Sequence, residues 1–279
     1  MKLVTWNIQW GLGVDGHFSL ARIVEHARAL ADFDVLCLQE VADNYPGLQG
    51  SAGENQFATL AALLPGFTLI EGPAVDVPDG AGGRRRFGNA LLSRLPVGQV
   101  FRHTLAWKAA EARSMPRLMI DAMIEAPFGP VRVMTTHLEY SHTVLRAAQV
   151  ESIRMAHADT AARVLRPPLE GGVAPFAPQP VTASAILCGD FNMKPDDPSK
   201  ARLEASFDDA TPAFVDLWQK QNPGRAHPPS FCLYDQTYGP AHCCDFVFAT
   251  PDMAGRLTAI DYDLATRASD HQPVVVTFG

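Results

Sequence analysis

In this sequence, polar residues able to bind a hard cation or move a proton stand directly against apolar runs. Asn7 follows Leu3-Val4-Thr5-Trp6, and Gln39-Glu40 follows Val35-Leu36-Cys37-Leu38. His137 ends Val131-Arg132-Val133-Met134-Thr135-Thr136, Asp190 and Asn192 follow Ala185-Ile186-Leu187-Cys188-Gly189, and Asp270-His271 shortly precedes Val274-Val275-Val276. A carboxylate or imidazole in such a place is partly desolvated and needs a partner. Several of them imply one polar pocket built on strand ends. The residue types suit Mg²⁺ or Mn²⁺: Mg²⁺ prefers oxygen ligands, keeps several waters and takes one or two carboxylates plus substrate phosphate. Glu40, Asn7 and Asp270 can supply such ligands. His and Asn beside carboxylates suit attack of water on phosphorus, one group activating the water and others stabilising the phosphoryl oxygens. The plainer alternatives are a turn cap at Asn7 and an Asx turn at Asp190–Asn192.

The elements that must position these groups are read from pattern. Strands are expected at Leu3–Ile8, Asp34–Gln39, Phe67–Glu71, Asn89–Ser93, Val97–His103, Leu118–Glu125, Val131–His137, Ala185–Gly189, Asp245–Ala249 and Pro273–Phe278, most bounded by Gly, Pro or Asp. Helices are expected at Leu20–Leu30 with Ser19 as N-cap, at Asn55–Leu64, and at Thr143–Leu165, which Pro167-Pro168 stops. Strict strand–helix alternation would give a doubly wound sheet. The uninterrupted strands from Asn89 to His137 argue instead for an α+β fold, a four-layer α/β sandwich of two mixed β-sheets packed face to face with helices outside. No long polar linker, charge block or repeat divides the chain, so one domain over 1–279 is expected. Three long segments, Gly72–Arg86, Arg166–Thr182 and Gln221–Ser230, are expected to be loops that rim the site.

Hydrophobic residues make up 47% and charged residues 19% of the 279 positions, which excludes disorder. The formal net charge of −7 argues against a tight, non-specific DNA binder, whose affinity comes from neutralising phosphates. A phosphorylated small substrate, or a brief encounter with nucleic acid, fits better. The five cysteines are odd in number and two are adjacent, which is not a disulfide framework. Together with the lack of a signal-like start or a membrane-length apolar run, this leads to the expectation of a cytoplasmic protein without a membrane anchor. His242-Cys243-Cys244-Asp245 does not have the spacing of a zinc site, because adjacent cysteines on a strand point to opposite faces.

Taken in order, Thr5-Trp6-Asn7, Leu38-Gln39-Glu40-Val41, Thr136-His137-Leu138-Glu139, Gly189-Asp190-Phe191-Asn192 and Ser269-Asp270-His271 resemble the motif series of the endonuclease/exonuclease/phosphatase superfamily, whose members include deoxyribonuclease-like enzymes. The resemblance spans Asn7 to His271. It implies metal-dependent hydrolysis of a phosphoester. Glu40 would be the principal metal ligand, with Asn7 and Asp270 nearby, and Asp190 and Asn192 would orient water and the scissile phosphate. His271 would be a catalytic imidazole oriented by Asp245, and His137 a second imidazole on a phosphoryl oxygen or the leaving group. Whether Asp190 or His271 activates the water stays open. Weaker matches add Phe87-Gly88-Asn89, with Asn89 at the substrate, Arg117 as a phosphate contact, and Arg146 with Gln149 on the helix after His137. A phosphodiesterase or nuclease is the leading expectation. A phosphomonoesterase or a phospholipid or sphingomyelin-type headgroup hydrolase is the alternative. A non-catalytic binding module is disfavoured because every motif residue is present.

Overall fold

The computed structural model describes residues 1–169 and 174–279. Strands β1 (Lys2–Asn7), β2 (Val35–Asp43), β3 (Thr68–Pro78), β4 (Arg84–Ser93), β11 (Leu257–Tyr262) and β12 (Val274–Phe278) form one sheet in the order β11-β12-β1-β2-β4-β3. The second sheet, β5-β6-β7-β8-β10-β9, contains β5 (Val97–Thr104), β6 (Leu118–Ala126), β7 (Gly129–His137), β8 (Ala185–Asp190), β9 (Val215–Asp216) and β10 (Asp245–Ala249). Two pairs are parallel, β1 with β2 and β7 with β8, and the other pairs are antiparallel. Both sheets are therefore mixed, as expected.

Side-chain alternation along the strands builds the layers. Leu3, Val35, Cys37 and Leu91 point inward and join Ile120, Val133, Cys188 and Val247 in the core between the sheets. Their strand neighbours Val4, Leu36, Leu38 and Leu92 point the other way, onto helices α1 (Leu20–Leu30) and α2 (Gln56–Leu63). A one-residue slip in β1 or β2 would exchange the two faces, so register is strongly specified. Helix α3 (Thr143–Leu165) covers the second sheet, contributing Val150 and Ile153 to its apolar cluster. Ser19 and Asn55 cap α1 and α2, each accepting a backbone N–H from three residues on.

The structure differs from the sequence reading in the connections. Gly72–Arg86 is no loop: β3 and β4 form a long hairpin, and only 79–83 turn. Arg84 and Arg86 are held there by Asp76, Asp43 and Glu71. Strand β2 continues past Gln39 to Asp43 through a register shift between Leu38 and Val41. Strands β9 and β11 and the short helices α4 (Pro198–Glu204), α5 (Leu217–Gln221) and α6 (Pro251–Gly255) carry too little periodicity to be read from sequence. All five cysteines are free and buried. Among the described residues, no helix is long and apolar enough to cross a membrane.

Candidate active site

The topology brings the polar strand ends to one edge. Parallel pairing directs the C-terminal ends of β1 and β2, and of β7 and β8, the same way. Antiparallel β12 beside β1, and β10 beside β8, present their N-terminal starts at that same edge. Asn7, Glu40, His137, Asp190, Asp245 and Asp270-His271 thus converge from both sheets. Gln39 ties the sheets together beneath them, its amide donating to Thr5 in one and Thr135 in the other. The two sequence-distant motifs at Trp6 and His271 are fastened by two bonds, and a third braces the second motif. Trp6 Nε1 donates to the His271 carbonyl at 2.9 Å, Ser269 Oγ donates to the Asn7 carbonyl at 2.7 Å, and His271 N donates to Ser269 Oγ at 3.2 Å.

Asp190 is the hub. Its Oδ2 accepts from Asn7 Nδ2 at 3.0 Å and lies 3.4 Å from His137 Nε2 and 3.7 Å from His271 Nε2. Its Oδ1 accepts the Asn192 N–H at 2.8 Å, the Asx turn foreseen above, and Asn192 in turn donates to the Leu138 carbonyl. His271 Nδ1 meets Asp245 Oδ2 at 2.9 Å, so Asp245 fixes the ring and leaves Nε2 toward the cleft. Among the described residues six non-glycine residues have positive φ, and four of them, Gln9, Trp10, Glu40 and Asn192, line this site. Backbone strain of this kind persists only where the surroundings over-determine it. At Glu40, with φ 61°, it accompanies the irregularity in β2 that turns the carboxylate into the cleft.

Charge is crowded here. Burial, and then the charge of Asp270, push the Glu40 carboxyl up to about 7, against the pull of Asn7. Burial raises Asp190 to about 6, with Asp245 adding and His271 opposing; burial also raises Asp270. Burial opposes the charged form of His271, yet Asp245 and Asp190 outweigh it and hold the ring well above its ordinary range. Burial and the nearby Arg117 charge push His137 well below its own, so that ring is neutral. Arg117 is 3% exposed, with Nε and Nη1 buried and unpartnered, and burial lowers its pKa despite Glu139 and Asp190.

Two donor sets compete for a cation. Asp190, Cys244 and His271 place ligand-type atoms within 4.8 Å of one another. Burial and Asp245 hold the Cys244 thiol well above its ordinary pKa, and His271 is already committed to Asp245, so this set is a proton network. Glu40 and Asp270 fit a hard cation better: they are oxygen donors raised chiefly by burial, and a bound cation would favour their charged forms. Asn7 stands beside this set: its oxygen accepts the Gln9 N–H and its NH₂ faces Glu40 and Asp190.

The cleft above these groups has a volume of about 1010 Å³. Glu40, Arg117, His137, Asp190, Asn192, Asp270 and His271 line it. Asp245 stands behind His271. Asn89 lies outside the lining, 2% exposed, its amide spent on the Leu118 carbonyl where it joins β4 to β6. The rim is not made of the three long segments expected. Arg113, Tyr140, Lys194, Phe231, Tyr238 and His242 form it instead, with Trp10 and Phe87 opposite. Described parts of 166–182 border a separate cavity of about 150 Å³ under α3, residues 170–173 lie outside the description, and 221–230 is anchored by His227 on Asp216. Arg146 and Gln149 hold the 139–140 backbone, and Arg146 also pairs with Asp197 at 2.7 Å. Sequence reasoning missed Arg113, Lys194, Phe231 and Tyr238, which stand in irregular segments with no period.

The family model described as Endonuclease/Exonuclease/phosphatase family matches residues 4–271. The chain belongs to the endonuclease/exonuclease/phosphatase family. Enzymes of this family generally hydrolyse phosphoesters and typically use a divalent metal. No curated protein matches the chain. Among solved structures, a Beutenbergia cavernae endonuclease/exonuclease/phosphatase is 28% identical at TM-score 0.68, covering 99% of this chain and 70% of that one. A mannosyl-6-phosphatase of Bacteroides thetaiotaomicron is 16% identical at TM-score 0.67, covering 100% and 99%. The catalytic domain of human Nocturnin, with a bound sulfate anion, is 17% identical at TM-score 0.61, covering 100% and 93%. The last two likenesses are of fold, and the four-layer sandwich is the family's.

Proposed function

We propose that this protein is a divalent-metal-dependent phosphodiesterase acting by in-line attack of water on phosphorus. The observation that carries the reading is the convergence on Asp190 of Asn7, His137 and His271, with Asp245 behind His271 and the unpartnered Arg117 in the same cleft. Glu40 and Asp270 would hold Mg²⁺ or Mn²⁺, which when bound supplies positive charge to the phosphoryl oxygens. Asp190 Oδ2 and His271 Nε2 face each other across 3.7 Å, so the proton leaving the water stays within that pair. Asn192 helps orient the phosphate. Neutral His137 and the buried Arg117 guanidinium stabilise the equatorial oxygens, Arg117 gaining the partners it otherwise lacks. A cleft of about 1010 Å³ has room for groups on both sides of phosphorus, which favours a diester over a terminal phosphate.

The test is turnover of bis-p-nitrophenyl phosphate, p-nitrophenyl phosphate, single- and double-stranded DNA and a 5′-tyrosyl oligonucleotide, with Mg²⁺, Mn²⁺ or EDTA. The expectation is diester turnover abolished by EDTA and by Glu40→Ala and His271→Ala, in variants that stay folded. A His271→Ala variant retaining near-wild-type rate sinks the assignment. A steep fall of rate with salt marks a polyanionic substrate.

A further inference from the structure

Two aromatic rings step outward from the His271 imidazole. The Phe231 ring stacks on His271 with centroids 4.5 Å apart and planes at 29°. Tyr238 lies over Phe231, 6.3 Å away and at 20°. The base of this ladder is rigid. Phe231 bridges the backbones of both His242 and His271, its N–H donates to the His242 carbonyl, and His242 N returns the bond. His242 closes edge-on against the Phe231 ring at 90°. The outer rung is open, since Tyr238 is 75% exposed. A large ring fixed parallel to a stack, with most of its surface in water, is prepared to receive a flat group, because covering it removes apolar area from water.

Charge narrows the occupant. Arg113 and Lys194 are exposed on the same cleft, and neither side chain has an ion pair among the described residues. Arg117 adds a third, buried cation. A quaternary ammonium headgroup would also favour aromatic faces, and Glu40, Asp190, Asp196 and Asp270 line the cleft as well, but an ammonium group leaves Arg113 and Lys194 without a partner. A sugar phosphate without a base would satisfy the cations and leave the ladder exposed. The group that meets both features is an aromatic base joined through a sugar to phosphate.

We propose that Phe231 and Tyr238 form a nucleobase-stacking subsite, which makes this protein selective for phosphoesters whose alcohol is a nucleoside. The proposal rests on the hydrolase reading for the place of the phosphate, but its test needs no turnover. Sequence-tolerant stacking of bases on aromatic side chains is the expected interaction.

The experiment is calorimetric binding, with Mg²⁺ present throughout, of two uncleavable phosphonates. One is the analogue of adenosine 5′-monophosphate and the other that of ribose 5-phosphate, and phosphocholine is the third probe. The wild type is expected to bind the nucleotide analogue about 10-fold more tightly than the sugar analogue, which corresponds to about 1.4 kcal/mol. In Tyr238→Ala the ratio of the two dissociation constants should collapse toward one, and in Tyr238→Phe it should be kept. Equal binding of the two analogues by the wild type overturns the proposal. So does an unchanged ratio in Tyr238→Ala, tighter binding of phosphocholine, or no binding of either analogue. A retained ratio in a protein without phosphoesterase activity would keep the subsite and remove the hydrolase reading. Metal-dependent turnover with a ratio of one would do the reverse.

Discussion

Replacing Arg117 by Met should make the protein more stable and less active at once. The guanidinium is 3% exposed, and its Nε and Nη1 have no partner. Its pKa is lowered by burial in spite of Glu139, Asp190 and Glu40, so the fold disfavours its charge even among carboxylates. A buried donor left unpaired costs about 1–3 kcal/mol. Met keeps the stem's packing and removes both donors, and some attraction to the carboxylates is lost, so a net gain of about 1–3 kcal/mol is expected. In a chain of this size each kcal/mol moves the midpoint by about 2–4 °C, which places the rise in Tm at roughly 2–12 °C by thermal unfolding in EDTA. If Arg117 supports the phosphoryl oxygens, kcat/KM on a diester should fall by about 10²–10³, the loss typical of one such donor. A destabilised Arg117→Met variant would show that the guanidinium is paired in the free protein and refute the argument. Unchanged kcat/KM would remove it from the chemistry.

Other outcomes follow from single contacts. Asp245→Asn should lower kcat by about 10²–10⁴ with the fold intact, because the carboxylate that orients His271 at 2.9 Å is replaced by a neutral amide; steady-state kinetics with a circular dichroism control check it. Gly189→Ala should lose more than about 4 kcal/mol or fail to fold. Gly189 has φ 135°, and a Cβ there would press into the Thr136 carbonyl beside Asp190. Denaturant titration of the purified variant reads this out, and a wild-type midpoint contradicts it.

Stability should also fall in acid through His157, on the buried face of α3. Its Nδ1 faces the Arg132 guanidinium at 3.2 Å and its Nε2 meets the Pro212 carbonyl at 2.9 Å, so the ring is neutral with its proton on Nε2. Burial, and then Arg132, lower its pKa to about 4. The unfolded chain, with an ordinary imidazole near 6.5, takes up the proton first. This contribution is therefore complete above about pH 6.5 and is lost as pH falls toward 4, about 2.5 kcal/mol of it by pH 4.5. His157→Gln should flatten that part of the pH profile in urea melts.

The sequence by itself determined which residues could do chemistry and most of the framework that carries them. Alternation in β1 and unbroken apolar runs in β2 and β8 declare strands buried in the fold, and a polar residue ending such a run has no apolar role to play. That is why Asn7, Glu40, His137, Asp190 and His271 were legible before any contact was known. The ends of the strands were less so. Glu40 sits inside β2, not beyond it, because a left-handed residue can be absorbed where the register shifts, and no local pattern announces that. The three long segments were misjudged for a related reason. Gly and Arg content reads as loop, yet 72–86 closes as a hairpin once its arginines meet Asp43, Glu71 and Asp76. Only the tertiary structure decided that Asn7 gives its N–H groups to two carboxylates while its oxygen accepts the Gln9 N–H, that Asn89 is a strut, and that Phe231 and Tyr238 stand over His271. Alternation and chain order fix which face a side chain takes, but what it touches depends on partners 26 to 265 residues away, as for Asp245 and Trp6 with His271, and those meet only when both sheets have closed.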